Sequence, residues 1–355
     1  MKTVRICMCL ALFGVLLSAL SIQAKRLSNG EDYTAPDGSF ATHAIVKEFP
    51  LEGDPNFRVK VNGKAVGLYN DRSHWGGLVE FGSFEFVNGK EITITVTYAK
   101  EIRSYELLPI HRLDLLSVKQ KGKHTIEIRT ARADQNITIV VNGEPKKDVL
   151  HLFCNSVDRN APKVKDATGY HRYDDERLHY FGPGFHDLRQ IFKDKDMLVL
   201  DNGWKVYVAA GAVLYGRIGL WGTQKGTKVY GRGMIYNDTQ NPHVVFEANE
   251  CQGADVEGVL MHAHRPGVWQ VVVNHCRNVE FKGVKILSTR YASTDGLDIV
   301  NCQQCAFLNT FIRANDDAIA IKGLDSREPA QCPPTRNITF CGMQLWNDCN
   351  CAMGI

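Results

Sequence analysis

The sequence predicts an all-β protein in which a small antiparallel β-sandwich precedes a parallel β-helix. Three observations predict this class. Signals for helix starts and ends are scarce, while Gly, Val, Ile and aromatic residues recur in short runs. The first half of the chain shows short alternating strands separated by Asn-Gly turns. The second half shows a repeat with no helix between its copies.

Composition allows a large core and argues against a disordered chain and against a nucleic-acid-binding protein. The 355 residues are 44% hydrophobic and 23% charged, which is typical of a globular chain rather than a disordered one. The formal net charge is +3, and removal of Lys2 and Arg5 with a leader gives 3 − 2 = +1. A nearly neutral chain of this size is not expected to bind nucleic acid.

The N-terminus predicts export. Lys2 and Arg5 precede an apolar run from Ile6 to Ile22, and Ala24 is a suitable cleavage position. This layout is typical of a signal peptide covering residues 1–24, and it predicts a secreted or periplasmic protein with no stable membrane insertion after cleavage. A single membrane anchor is the alternative, because about 17 apolar residues approach the minimum for a span.

Residues 25–176 are predicted to form the β-sandwich and a polar connector. Alternation of apolar and polar residues predicts strands near 57–61, 81–86, 91–98, 124–129 and 136–141. Asn62-Gly63 and Asn142-Gly143 predict tight turns between such strands. Short strands at this spacing favour a sandwich, for which we expect a supporting role.

Residues 177–355 are predicted to form the β-helix that carries catalysis. The phrase Asn278-Val-Glu-Phe recurs around Val256, Cys305 and Ile338, at separations of 23, 26 and 33 residues when Val256 is aligned with Val279. Because parallel strands normally need a helical crossover, a helix-free repeat predicts a solenoid in which each repeat is one rung. A second β-sandwich is the alternative, and it leaves the recurrent phrase unexplained.

Nine cysteines follow the leader, and two closely spaced pairs raise the question of a metal. The pairs are Cys302 with Cys305 and Cys349 with Cys351. Neither is followed by a second pair of ligands at the spacing of a zinc site. Each lies in a strand-like run, so we expect small thiols that pack a β core. The odd number leaves at least one free thiol in a monomer.

Asp295, Asp316 and Asp317 are the predicted catalytic residues. Asp295 lies in Ser293-Thr294-Asp295-Gly296 and Asp316 in Asn315-Asp316-Asp317. The two aspartates are 21 residues apart, close to one rung, so the three carboxylates should meet on one side of the solenoid. Carboxylates in contact raise one another's pKa, which lets one stay protonated while another stays ionised, as glycoside hydrolysis requires. Gly296 is expected to admit a sugar. The alternative is an Asp-Asp turn with a structural role.

These two phrases resemble the motifs of glycoside hydrolase family 28, the polygalacturonase-like right-handed β-helices of the pectin-lyase type. The resemblance covers residues 178–355 and includes Ala318-Ile319-Ala320-Ile321-Lys322. It implies that Asp316 is the general acid, that Asp295 and Asp317 activate water, and that the anomeric configuration inverts. Cys351 stands where the family has a histidine, and the chain ends before the Arg-x-Lys motif that grips a substrate carboxylate, so we expect a C-terminally incomplete helix.

Three further residues are expected to bind substrate. Lys322 ends the second motif, His264 lies in the His262-Ala-His264 turn, and Trp269 follows that turn. We expect this turn to contribute to a sugar-facing cleft. Trp221, Trp269 and Trp346 could stack on sugars, although packing is the more common role of a tryptophan.

The resemblance leaves other functions open. A sandwich before a β-helix is also similar to family 49, the dextranase and isopullulanase group, whose substrates are neutral glucans. A polysaccharide lyase would use the carboxylates to hold Ca²⁺, and an inactive carbohydrate-binding remnant would use them for neither purpose. We expect a monomeric enzyme with a polysaccharide or oligosaccharide substrate, a role in cell wall organisation, and no metal or other cofactor.

Overall fold

A computed structural model describes residues 29–238, 244–263, 269–288, 291–323 and 333–355. The described chain is all-β, as predicted: its helices are one α-helix at Leu188–Ile191 and one 3-10 helix at Ile110–Leu115. No helix among the described residues is both long and apolar enough to cross a membrane. The predicted signal peptide lies outside the described residues.

The chain divides into two compact units. One contains residues up to 45, 51–70 and 80–157, and the other contains 46–50, 71–79 and 158–355. The division therefore falls at 157/158, whereas the sequence places the connector, up to residue 176, with the first domain. Each unit has its own buried apolar core.

The first unit is built from two antiparallel sheets. The larger sheet contains the strands Tyr33–Thr34, Phe40–Thr42, Tyr69–Arg72, Leu78–Phe86, Tyr105–Leu108, Gln135–Val141 and Val149–Ser156. The smaller sheet contains Phe57–Val61, Lys64–Val66, Ile92–Tyr98, Ser117–Gln120 and Thr125–Thr130.

Side-chain alternation and turn chemistry explain these strands. Along Ile92–Tyr98 every second side chain is buried, which is the pattern of a strand with one face on a core. Asn62 and Gly63 have φ values of 48° and 85° between two paired strands, as the predicted two-residue turn requires.

The second unit is a parallel β-helix of three sheets, and this prediction is confirmed. The first sheet contains Tyr170–Tyr173, which pairs antiparallel, and the parallel strands Leu178–Phe181, Lys205–Val208, Lys228–Gly231, Ala254–Glu257, Val279–Lys282, Ala306–Leu308 and Thr339–Cys341. The second sheet contains Gly184–Asp187, Ala212–Tyr215, Met234–Asn237, Leu260–Ala263, Lys285–Ser288, Phe311–Ala314 and Gln344–Asn347. The third sheet contains Met197–Leu200, Arg217–Trp221, Phe246–Asn249, Val271–Asn274, Leu297–Val300, Ile319–Lys322 and Met353–Gly354.

The register of the repeat differs from the predicted alignment at its first copy. Val279 pairs with Ala254, not Val256, so the first separation is 279 − 254 = 25 residues. Phe281 pairs with Val256 and with Phe307, and Phe307 pairs with Phe340. The inward-facing apolar side chains therefore set the register, because a slip of one position would turn them toward solvent.

Left-handed residues form the corners of the rungs. The bend between the first and second sheets has positive φ at Gly258, Gly283, Asn309 and Gly342 in four successive rungs. The bend that enters the first sheet has positive φ at Asn278, Gln304 and Asn337. Gly and Asn tolerate this conformation best and occupy six of these seven positions, which accounts for the Asn and Gly of the repeated phrase.

Aromatic and thiol side chains stack along the inside of the β-helix. The ring centroids of Phe281 lie 5.2 Å from Phe307 and 5.6 Å from Phe246. Five cysteines are buried as predicted, whereas three are exposed, and all eight described cysteines are free thiols; the buried ones are Cys154, Cys251, Cys276, Cys302 and Cys305, and the exposed ones are Cys341, Cys349 and Cys351.

Candidate active site

The three predicted catalytic aspartates meet at one edge of the third sheet. Leu297 pairs with Ile319 in neighbouring parallel strands, so the segments that enter these strands lie side by side. Asp295 belongs to one segment, and Asp316 and Asp317 belong to the other. Oxygen atoms of the three carboxylates lie within 4.8 Å of one another. The spacing of about one rung therefore brings them together as predicted.

Backbone hydrogen bonds between rungs fix this arrangement. The Gly296 N–H donates to the carbonyl of Asp317 at 2.8 Å, and the Asp316 N–H donates to the carbonyl of Thr294 at 3.1 Å. The buried Thr294 hydroxyl donates to the carbonyl of Tyr291 at 2.6 Å, which holds the turn before Asp295. The carboxylates are thus carried by paired backbone rather than by free loops.

Gly296 serves packing rather than access for a sugar, which corrects the sequence interpretation. A Cβ atom at this position would lie 2.4 Å from the side chain of Ile312 and 2.7 Å from the carbonyl oxygen of Ala318. Both distances are shorter than a van der Waals contact. The missing side chain therefore makes room for the next rung of the helix.

Lys322 is the cation of the site. Its Nζ donates to Oδ2 of Asp295 at 2.7 Å and to Oδ1 of Asp298 at 2.5 Å. The same Nζ lies 3.8 Å from the centroid of the Trp269 ring, within the range of a cation–π contact. Burial lowers the pKa of Lys322, but the bonds to Asp295 and Asp298 outweigh it and raise the pKa above its ordinary value.

Asp298 is a fourth carboxylate of the site, and it is not among the residues predicted from the sequence. It is fully buried, and burial raises its pKa to about 8 against the opposing bond from Lys322. Its position could have been found from strand alternation: Leu297 and Ile299 face the core, so Asp298 points to the outer face. That signal does not reveal that Lys322 on the next rung bonds to it.

The last described rung supplies hydrogen bonds to Asp316 and Asp317. Asn350 Nδ2 donates to Oδ1 of Asp316 at 2.6 Å, and Asn347 Nδ2 donates to the backbone carbonyl of Asp316. The N–H of Cys351 donates to Oδ1 of Asp317 at 3.2 Å. Cys351 thus contributes its backbone at the place where the resemblance expects a histidine.

The pKa of Asp317 is raised. Burial is the largest cause, the Cys351 N–H opposes it, and the neighbouring charges of Asp295 and Asp316 add to it. A carboxyl with a raised pKa between two other carboxylates is suited to hold a proton that the cluster shares.

A buried ion pair supports the rung that carries Asn347 and Asn350. Arg313 and Asp348 are both buried, and the guanidinium donates to the two carboxylate oxygens at 3.1 and 3.0 Å. Trp346 also donates to Asp348 at 3.0 Å, and the Arg313 guanidinium lies 4.8 Å from the centroid of its ring. Trp346 therefore has a packing role here, which is the more common role expected for a tryptophan.

The structure describes two of the three predicted substrate-binding residues. Lys322 and Trp269 are in contact beside Asp295, and their binding role stays a prediction. His264 lies outside the described residues. His262 is buried, with its ring 5.6 Å from Tyr236 and 5.8 Å from Phe49, so this part of the expected surface turn is core.

The site has the groups for acid and base catalysis on a glycosidic bond. Inverting enzymes generally hold their two carboxyl groups about 6.5–9.5 Å apart to admit a water molecule. Here the nearest oxygens of the three carboxylates lie within 4.8 Å, so the stereochemical outcome stays a prediction. Three carboxylates at this distance are also ligands of the kind that Ca²⁺ prefers, which keeps the lyase alternative testable.

Residues 187–346 match the family model of glycosyl hydrolases family 28. Two of the solved structures that are similar to the chain carry glycosidase family numbers in their names, 49 and 28. Dex49A from Penicillium minioluteum has 11% identity and a TM-score of 0.48, over 88% of this chain and 75% of the other. The family 28 exopolygalacturonase of Yersinia enterocolitica has 9% identity and a TM-score of 0.35, over 74% and 67%. No curated protein sequence matches the chain significantly.

Proposed function

We infer that the chain is a polysaccharide-cleaving glycoside hydrolase with a family 28 β-helix, and we propose that Asp295, Asp316 and Asp317 catalyse the hydrolysis. The observation that carries the proposal is the convergence of these three side chains, from two adjacent rungs, to within 4.8 Å. The family match covers both rungs.

The proposed reaction needs one protonated and one ionised carboxyl. Asp316 donates its proton to the glycosidic oxygen while the bond from that oxygen to the anomeric carbon breaks. Asp295 and Asp317 take the proton of the water that attacks this carbon. Lys322 supports this division because its ammonium compensates the charge of Asp295 at 2.7 Å. The raised pKa of Asp317 supports a proton shared within the cluster.

A panel of pectic and neutral glycans tests the proposal. The full chain should release reducing ends from at least one of them, and Asp316→Asn should lower kcat by about 10²- to 10⁴-fold, the usual contribution of a positioned acid. Asp255→Asn, which changes an exposed carboxyl on the first sheet, serves as the matched control and should leave the rate unchanged. Absence of reducing ends from every glycan would overturn the proposal.

Three further readouts separate the alternatives. An unsaturated product with ultraviolet absorbance, lost on addition of a Ca²⁺ chelator, would identify a lyase. The anomeric signal of the first product in proton NMR distinguishes inversion, which the resemblance implies, from retention. A chain that binds glycan equally well with and without Asp316, and cleaves none, would be the inactive remnant.

A further inference from the structure

Trp221 is the most exposed large aromatic side chain of the described residues, with 52% of its surface accessible. It ends the third-sheet strand Arg217–Trp221, in which Ile218 and Leu220 face the core. Its side chain therefore belongs to the outer face of the sheet that also carries Lys322 and Asp298.

The indole lies back over the sheet. A Cβ atom built on Gly219 would lie 3.4 Å from Nε1 of Trp221 and 2.4 Å from Cε of Met197. Any side chain at Gly219 would therefore displace Met197 and crowd the indole. Gly219 leaves the space in which the ring rests against the strand while half of its surface stays open to solvent.

Trp221 and Lys322 lie in one column of the third sheet. The paired positions run from Trp221 through Asn249, Asn274 and Val300 to Lys322. Four rungs separate the two ends, or about 19 Å at the usual spacing of about 4.8 Å. Several sugar units span a distance of this order.

The neighbouring position of the column carries an amide side chain. Asn249 pairs in register with Trp221, and its Oδ1 accepts a hydrogen bond from Asn274 Nδ2 at 3.0 Å. Its own Nδ2 has no hydrogen-bond partner within the described part of the chain and is available to a hydroxyl group. An aromatic face with an amide on the next rung of the same column suits a sugar, because one side of a pyranose ring is apolar C–H and its edge carries hydroxyls.

We propose that Trp221, with Asn249, forms a remote subsite that stacks on a pyranose unit of the polysaccharide, four rungs from Lys322. The subsite rests on the proposed function, because it binds the same glycan chain whose cleavage occurs at the aspartates. It acts on binding of long chains and takes no part in bond breaking, so short substrates gain nothing from it.

Calorimetric binding to the full chain carrying Asp316→Asn tests the subsite. The probes are oligogalacturonides and isomalto-oligosaccharides of increasing length. In this background, Trp221→Ala should weaken binding of the longest oligosaccharides by about fivefold to tenfold, the range of an aromatic contact, and should leave the shortest unchanged. Trp221→Phe should keep most of the affinity.

Trp75→Ala is the matched control, since Trp75 is a second exposed tryptophan with 44% of its surface accessible. An equal loss in this control, no loss in Trp221→Ala, or affinity in the parent that does not rise with length would overturn the subsite. Binding that depends on Trp221 in a chain that cleaves no glycan would keep the subsite and overturn the proposed function. Glycan cleavage by the parent chain, together with long-chain binding that Trp221→Ala leaves unchanged, would keep the proposed function and overturn the subsite.

Discussion

Lys322 holds two carboxylates of the site at once, because its ammonium donates to both Asp295 and Asp298. Both carboxylates are buried; the pKa of Asp298 is raised to about 8, and Asp295 belongs to the cluster with Asp316 and Asp317. A single ammonium bonded to both offsets the electrostatic repulsion between the two carboxyl groups. We therefore regard Lys322 as a positioning residue for Asp295, in addition to its predicted contact with substrate.

Replacing Lys322 by Met should change the pH profile as well as the rate. The positive charge of Lys322 lowers the pKa of Asp317, so its loss raises that pKa further. The alkaline limb of kcat/KM, where the shared proton is lost, should then move to higher pH. Misplacement of Asp295 should also lower kcat by up to about 10²-fold.

The pH dependence of kcat/KM, measured for Lys322→Met and Lys322→Arg, checks this expectation. Lys322→Arg keeps the charge and should leave the limb near its parental position. A rate loss in Lys322→Met with an unshifted limb would mean that Lys322 contributes no charge to the proton of the cluster.

At the scale of elements, the rung Gln344–Asn347 with its following turn supports the two aspartates of the previous rung. The buried Arg313–Asp348 pair anchors this turn from the strand that leads into Asp316. Arg313→Met would leave the Asp348 carboxylate buried without its cation, which should lower the free energy of unfolding by about 3–5 kcal/mol. Asn350 would also lose its fixed position against Asp316, so activity should fall with it.

Urea unfolding of Arg313→Met and of the double variant Arg313→Met/Asp348→Leu checks this prediction. The double variant removes both charges and should recover much of the stability, though not the activity. Arg129→Met in the first unit is the control, because its partly exposed pair with Glu127 should be worth at most about 1 kcal/mol. Equal stability losses at Arg313 and Arg129 would contradict the assigned role.

Some elements of the site follow from the sequence and others do not. Asp295 and Asp316 could be paired because the rung length is set by repeated inward-facing apolar residues and left-handed corners, both of which are local features. The role of Gly296 could not be predicted from the sequence, because a glycine can leave room for a ligand or allow close packing of the next rung. The Lys322–Asp298 bond depends on side chains from two rungs, which no local pattern reports.

At the scale of the whole molecule, each unit is stabilised by its own core. The β-helix core contains a row of contacting rings, and the core of the first unit contains different residues altogether; the rings of this row are Phe246, Phe281, Phe307 and Phe340. In a solenoid each rung contacts its neighbours, so a substitution that weakens the packing of one rung should also destabilise the adjacent rungs.

Phe281→Ala should therefore destabilise the rungs of the candidate active site. Removing a fully buried ring typically costs about 3–5 kcal/mol, and the rungs at Phe246 and Phe307 would lose a packing partner on one side. Hydrogen exchange should accelerate in Phe246–Asn249, Leu297–Val300 and Ile319–Lys322, while Ile92–Tyr98 in the first unit keeps its parental exchange rate. Glu280→Ala, at the exposed neighbouring position, should change neither region. Faster exchange in Ile92–Tyr98 would show that the two cores are coupled, and unchanged exchange at Leu297–Val300 would show that the aromatic stack does not support the strands that hold the aspartates.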